Sequence, residues 1–224
     1  MDPDNSKTLA IPGTTTRRWI LLIRHGETAW NAERRFMGTS DVPLNALGHD
    51  QARHLAESLP TDRIHRVFTS PLARAAQTAS YLHPDPVREA GLRELAQGEL
   101  EGMSAADAIA RFPVFFEEWS RDCAAVTVPG GESMLDCQRR GLAAVHAVAA
   151  RCPAGATCAA VGHQMVIASV LCAAEGRRLA DWREYRLPNC GVALVAVLGD
   201  RIELVKHQWS PTADTLPVHY SGGP

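Results

Sequence analysis

A chain of 224 residues, 46% hydrophobic and 21% charged, suits one domain with a well-filled core. Its formal net charge of -2 removes the usual electrostatic basis for nucleic acid or an anionic membrane as partner. Any anion site must then be a local positive focus on a nearly neutral body, and no apolar run reaches the length of a membrane span.

Residues 1–18 are polar and carry Pro3, Pro12, Gly13 and the Thr14-Thr15-Thr16 run, which predicts a flexible tail rather than a signal peptide. The first element is a buried strand at Trp19-Ile20-Leu21-Leu22-Ile23, which delivers Arg24-His25-Gly26 at its end. Residues 26–44 carry Gly26, Gly38, Asp41 and Pro43, the composition of an irregular loop. From Asn45 to Leu59 the apolar positions Leu47, Ala52, Leu55 and Leu59 keep a helical rhythm that Pro60 ends. Arg66–Ser70 is a short second strand, and Ser70-Pro71 starts a helix running to about His83. A brief extended piece from Val87 leads to Leu92-Arg93-Glu94, and residues 104–122 predict one or two helices interrupted by Pro113. After the turn Pro129-Gly130-Gly131, Glu132 opens a long helix to about Ala150, with Glu132-Ser133 expected to cap it.

Thr157–Val161 is a third buried strand, followed at once by Gly162-His163 and another helix. Gly191–Leu198 and Arg201–Lys206 form two strands about a Gly199-Asp200 turn. Strand–helix alternation closed by a hairpin predicts a three-layer α/β/α sandwich with a mostly parallel central sheet. One domain is expected over residues 19–210, with a C-terminal tail at 211–224. Cys123, Cys137, Cys152, Cys158, Cys172 and Cys190 are scattered without metal-ligand spacing, and read as buried small hydrophobes of a reducing, cytoplasmic protein rather than a disulfide framework.

Ligand sites in such sheets lie beyond the carboxyl ends of the strands. One strand end carries Arg24-His25, another precedes Ser70-Pro71 with Arg74 one turn on, a third carries His163, and Glu94 follows a further extended piece. This set suits phosphoryl transfer, which needs positioning and stabilisation of charge on the equatorial oxygens. Two arginine forks supply charge-assisted contacts of roughly 1.5–3 kcal/mol each and keep His25 neutral, its lone pair available for attack. Attack by His25 gives a phosphohistidine whose charge the arginines and His163 hold. Glu94 then protonates the leaving alkoxide and afterwards activates water. Nothing in the pattern demands a metal or another cofactor.

Arg24-His25-Gly26-Glu27-Thr28-x-x-Asn31 resembles the opening motif of the histidine phosphatase superfamily, which includes the cofactor-dependent phosphoglycerate mutases. The similarity runs on through Arg35-Phe36-x-Gly38, Asp41-x-Pro43-Leu44-x-x-x-Gly48 and Ser70-Pro71-Leu72-x-Arg74-Ala75-x-Gln77-Thr78-Ala79. Leu92-x-Glu94, Gly98-x-x-Glu101-Gly102, Pro129-Gly130-Gly131-Glu132-Ser133 and Gly162-His163 follow in the family's order. The resemblance implies His25 as nucleophile, Glu94 as proton donor, and Arg24, Arg74, Asn31 and His163 around the phosphate. Gly38 is counted with these substrate-binding positions. Gln164 follows His163 where most members have glycine. Its amide either donates to the phosphate or substrate, as the same residue in fructose-2,6-bisphosphatases suggests, or bonds free backbone groups at the helix start.

Cys123-Ala124-Ala125-Val126-Thr127-Val128 stands where those bisphosphatases place basic and tyrosine residues, and an apolar wall does not hold a second dianion cheaply. The carboxylate-gripping residues of the mutases are also replaced, by Gln97, Ala105 and Ser120-Arg121. The expectation is a metal-independent phosphomonoesterase acting on a small phosphate ester, of the histidine acid phosphatase type. The alternatives are a phosphoglycerate mutase and a non-catalytic binder of phosphorylated ligands. Substrate specificity is expected to reside after Glu94, where Phe112, Phe115, Phe116 and Trp119 either line a lid, with Trp30 and Phe36, or belong individually to the core.

Overall fold

Strand β1, Arg18–Arg24, is buried along most of its length, and its side chains alternate between two cores. Ile20 and Leu22 enter one hydrophobic cluster; Leu21 and Ile23 enter the other. The computed structural model to which this strand belongs describes residues 17–209, so residues 1–16 of the tail expected at 1–18, and all of the tail expected at 211–224, lie outside the described residues. Arg18, expected in the N-terminal tail, instead belongs to the sheet.

The remaining strands are β2 (Ile64–Thr69), β3 (Val87–Arg88), β4 (Thr157–Gly162), β5 (Val192–Leu198) and β6 (Arg201–Trp209). They form one six-stranded sheet in the order β3-β2-β4-β1-β5-β6. The four strands from β3 to β1 are parallel, while β5 and β6 are antiparallel. Register decides where the chemistry falls. Arg24 stands beside Gly162 and Thr69 beside Val161, so β1, β2 and β4 end level and His25, Ser70 and His163 leave from one edge.

The helices are α1 (Ala29–Ala32), α2 (Ala46–Ser58), α3 (Ala73–Leu82), α4 (Ala105–Arg111), α5 (Pro113–Arg121), α6 (Met134–Ala150) and α7 (Gln164–Ala174). The core under α2 and α3 takes Leu55, Ala75 and Ala79 against Leu21, Ile23 and Val161. The opposite core takes Val145 and Val148 of α6 and Ile167 and Leu171 of α7 against Ile20, Leu22 and Ala160. The three-layer α/β/α sandwich with a mostly parallel sheet is the observed fold. Among the described residues no helix is long and apolar enough to cross a membrane.

Local departures from expectation have local causes. The loop after β1 contains helix α1, because Thr28 and Asn31 form a reciprocal capping box. Helix α3 begins at Ala73 rather than Ser70-Pro71, since the Ser70 amide donates to Val161 O and its hydroxyl serves His163. Ser133 caps α6 by accepting from the Asp136 amide. Cys152 and Cys158 form a disulfide, correcting the expectation of unpaired cysteines; the short return from α6 into β4 brings their Cα atoms to 6.4 Å. Cys123, Cys137 and Cys172 are free and buried, and Cys190 is free and half-buried.

The loop after β1 lies directly on the first turn of α2. A Cβ on Gly26 would come 2.5 Å from Gly48 O, and one on Gly48 would come 2.0 Å from Glu27 O. Both neighbours are backbone, which side-chain repacking cannot relieve. Gly48→Ala is therefore expected to cost about 1–3 kcal/mol of stability in urea unfolding; a cost below ~0.5 kcal/mol would show that the loop yields freely.

Candidate active site

The strand ends converge on a cavity of about 790 Å³ whose lining includes Arg24, His25, Asn31, Glu94 and Gln164. His25 is 2% exposed, and its Nδ1 lies 2.6 Å from Gly26 O. A carbonyl only accepts, so Nδ1 carries the proton and Nε2 keeps its lone pair. Burial, then Arg74 and more weakly Arg24, hold His25 well below the usual histidine range, so the ring is neutral. Its carbonyl accepts from Asn189 Nδ2 at 3.0 Å, which fixes the peptide from the side of β5.

Arg74 and His163 form a layer behind His25 and do not line the cavity wall. The ring centroids of His25 and His163 are 5.0 Å apart. The Arg74 guanidinium has no exposed surface; it donates to Gly38 O at 2.7 Å, to Ser40 O at 2.8 Å and to His163 Nδ1 at 3.2 Å. One N–H on each terminal nitrogen is left uncommitted. His163 Nδ1 must then be an acceptor, so its Nε2–H donates to Ser70 Oγ at 2.8 Å. Burial first and the Arg74 charge second hold His163 well below the ordinary range as well. Gly38 is not on the cavity wall: its carbonyl steadies Arg74, and a Cβ there would strike the Gln97 amide nitrogen and Leu95 O.

Arg24 donates from Nη1 to Leu187 O at 2.7 Å, while its buried Nε–H has no partner among the described residues. Asn31 Oδ1 is occupied by the amide and hydroxyl of Thr28. Gln164 is committed to backbone: its Oε1 accepts from the Leu187 amide at 2.9 Å and its Nε2 donates to Tyr185 O at 3.4 Å. Of the two readings open for Gln164, the backbone one describes its contacts.

Glu94 is held by the start of α7. Its Oε1 accepts from the amides of Leu95 (2.9 Å), Met165 (3.0 Å) and Val166 (3.3 Å), while Oε2 accepts only from Met165, at 3.2 Å. Burial raises its pKa, against the amides of Leu95 and Met165 and the Arg74 charge, which lower it.

Sequence reasoning missed several supporting residues. Arg140 donates to the carbonyls of Gly91, Arg93 and Glu94 and pairs with Glu132 at 2.7 Å, so a helix remote in sequence grips the Glu94 peptide. Glu101 accepts from the amides of Thr39 and Ser40 and so shapes the loop that holds Arg74. Trp182, Arg183 and Arg186 line the cavity from a 3-10 segment, Leu179–Tyr185, and the residue after it. The Trp-Arg-x-x-Arg run over 182–186 was the available signal. Phe36, Phe115, Phe116 and Trp119 also line the cavity, Trp30 packs under Gly102, and Phe112 packs on the core.

Removing Arg140 leaves a four-fifths buried carboxylate and three carbonyls unpaired. Arg140→Met is expected to cost about 3 kcal/mol in urea unfolding, and adding Glu132→Gln should recover part of it; no recovery would place the loss elsewhere. The histidines make stability pH-dependent. Their folded pKa values lie below the unfolded value near 6.5, so the unfolded chain binds more protons below that pH. Stability from these residues is present above about pH 6.5 and is lost as pH falls through the window beneath it. His163→Gln should lose less stability than the parent between pH 7 and pH 5; equal losses would contradict a neutral His163.

Comparison with known proteins bears on the same region. The histidine phosphatase superfamily (branch 1) profile matches residues 20–210. A relative in Salmonella choleraesuis, the probable phosphoglycerate mutase GpmB, is 33% identical over 201 residues, covering 85% of this chain and 86% of its own. Among solved structures, the mycobacterial glucosyl-3-phosphoglycerate phosphatase in complex with VO3 superposes with a TM-score of 0.76 at 27% identity, over 86% of this chain and 100% of that one. Bacillus stearothermophilus YhfR superposes with a TM-score of 0.77 at 27% identity, over 84% and 95%. With its strand-end histidine, the buried arginine behind it and a sequence match across the whole sheet, this chain belongs to the histidine phosphatase superfamily.

Proposed function

We propose that the protein is a phosphomonoesterase that hydrolyses a small phosphate ester through a phosphohistidine on His25. The observation that carries this reading is the tautomer of His25. Its proton is tied to Gly26 O, leaving the Nε2 lone pair without a partner among the described residues, in a ring that lines the same cavity as Arg24 and Glu94. Nε2 attacks phosphorus and the ester P–O bond breaks. Arg24, whose Nε–H is without a partner among the described residues, holds the equatorial oxygens from the cavity wall, and the Arg74 charge in the layer behind His25 adds to the field on them.

Glu94 supplies the proton to the leaving oxygen. Burial favours its protonated form, and Oε2, bonded to one amide against three on Oε1, is the oxygen free to carry the proton. Water then attacks phosphorus, giving up its proton to the Glu94 carboxylate, as the phosphorus–nitrogen bond breaks and its electron pair returns to Nε2. Inorganic phosphate leaves, and neutral His25 and protonated Glu94 are restored. The guanidinium charges supply what a cation would otherwise provide, so turnover is expected to persist in chelator.

Hydrolysis rather than phosphoryl return is supported by the cavity wall, where Phe115, Phe116, Trp119 and Val128 stand: of the tyrosine, lysine and paired arginines with which mutases grip a phosphoglycerate carboxylate, the lining has no tyrosine or lysine, and its adjacent arginines, Arg183 and Arg186, come after His163 in the chain. The name of the Salmonella relative makes phosphoglycerate mutase the reading to test beside it. Incubation with 3-phosphoglycerate and a bisphosphoglycerate primer separates the two, because a mutase forms 2-phosphoglycerate faster than free phosphate.

His25→Ala is expected to abolish phosphate release from p-nitrophenyl phosphate, and full activity in that variant would overturn the mechanism. Glu94→Gln should slow alkyl phosphates by about 10²–10⁴-fold while slowing the activated aryl ester much less. Equal losses on both would take the acid role from Glu94.

A further inference from the structure

After α7 the chain turns through Leu179–Tyr185 and presents Trp182 to the cavity. The guanidinium carbons of Arg183 and Arg186 lie 4.7 Å and 5.1 Å from the Trp182 ring centroids, within cation–π range. Both arginines are exposed and both line the cavity, so they belong to its mouth, whereas buried His25 and Glu94 belong to its floor. Neither makes an ion pair among the described residues. The acids beside them face other cations: Glu184 pairs with Arg177 at 3.0 Å and Asp181 with Arg178 at 3.7 Å.

A solvated surface arginine needs no ligand, but these two are held against an indole, share one cavity and lack a neutralising carboxylate. Arg186 is also close enough to Arg24 for their charges to repel, which adds to the burial that already lowers the Arg24 pKa. Positive potential thus runs from the floor to the mouth, and a low-dielectric cleft concentrates it. A single phosphoryl group at the floor engages Arg24 and leaves the outer pair unanswered. Into the same cavity α5 offers three half-buried rings, with Phe115 against Phe116 at 5.0 Å and against Trp119 at 5.5 Å, and no residue of that helix is fully buried.

We propose that the ligand of this cavity is a phosphate monoester whose alcohol part has an apolar, planar body and a second anionic group, the body lying on the α5 rings and the anion held by Arg183 and Arg186. Its phosphoryl end rests on the phosphatase reading above, while the charge preference at the far end does not depend on turnover. The second anion is assigned to the Trp182 segment and not to the apolar stretch Cys123–Val128, of which Val128 contributes to the cavity wall.

The test uses matched aryl phosphates that differ in charge and little in shape: 4-carboxyphenyl against 4-carbamoylphenyl phosphate, and the longer 4′-carboxy against 4′-carbamoyl biphenyl-4-yl phosphates. The parent protein should favour the carboxylate member of at least one pair by about tenfold in kcat/KM. That ratio should fall toward one in the Arg183→Gln/Arg186→Gln variant, and in the parent at raised ionic strength. Phenylene bisphosphate distinguishes the anion at the far end, a preference for it over the carboxylate assigning a phosphate there. Calorimetric binding of the same pairs to His25→Ala reads the preference without turnover. Hydrolysis of all four esters with no charge preference, or a preference that survives the double variant, overturns this proposal alone. Charge-selective binding with no hydrolysis by the parent upholds the far-end assignment and overturns the phosphatase reading.

Discussion

The Arg74 guanidinium has no exposed surface, and the site is arranged around keeping that cation buried. Removing a cation from water costs several kcal/mol even after relaxation. Arg74 recovers this through two loop carbonyls, Gly38 and Ser40, and one imidazole nitrogen, His163 Nδ1. The loop is in turn shaped by Glu101, which accepts from the Thr39 and Ser40 amides. Once Arg74 donates to His163, that ring is neutral and points its remaining N–H at Ser70 Oγ. The same charge keeps the neighbouring His25 neutral. Burial first, and this one cation second, hold both histidines neutral.

Glu94 is tuned by a different balance. Burial opposes its charge, yet the first amides of α7 and the adjoining Leu95 amide favour it. The two carboxyl oxygens are unequal, since Oε1 collects three amides and Oε2 one. In the proposed reaction, where this group gives up and retakes a proton, an anchored oxygen and a freer one are both of use. Arg140 holds the peptide beneath it, so the carboxyl is fastened at both its head and its backbone.

Much of this arrangement was legible in the sequence because it sits where patterns are strong. Short apolar runs located β1, β2 and β4, and residues at their ends fell into one place once the strands were parallel. Reading failed where a residue's partner lies far along the chain. Gly38 looked like a substrate contact, but its part is to offer a carbonyl to a helix 36 residues on. Arg140 drew no reading, since nothing in α6 announces three carbonyls at residues 91, 93 and 94. The Leu179–Tyr185 segment escaped because a 3-10 turn has neither the helical nor the strand period. Cys152 and Cys158 were separated by the prior that scattered cysteines stay reduced, whereas a tight return between helix and strand places them together.

The central position of β1 has a kinetic consequence. The strand that carries His25 pairs on one side with β4 and on the other with β5, both drawn from the far part of the chain. Asn189, just before β5, supplies the hydrogen bond that fastens the His25 carbonyl. Loop-closure entropy must be met before either pairing gives any return, so assembly is expected to be slow for a domain of this size. During synthesis His25 emerges early and stays unassembled until the closing hairpin arrives, so a nascent chain has no completed cavity before it has nearly all of its sheet.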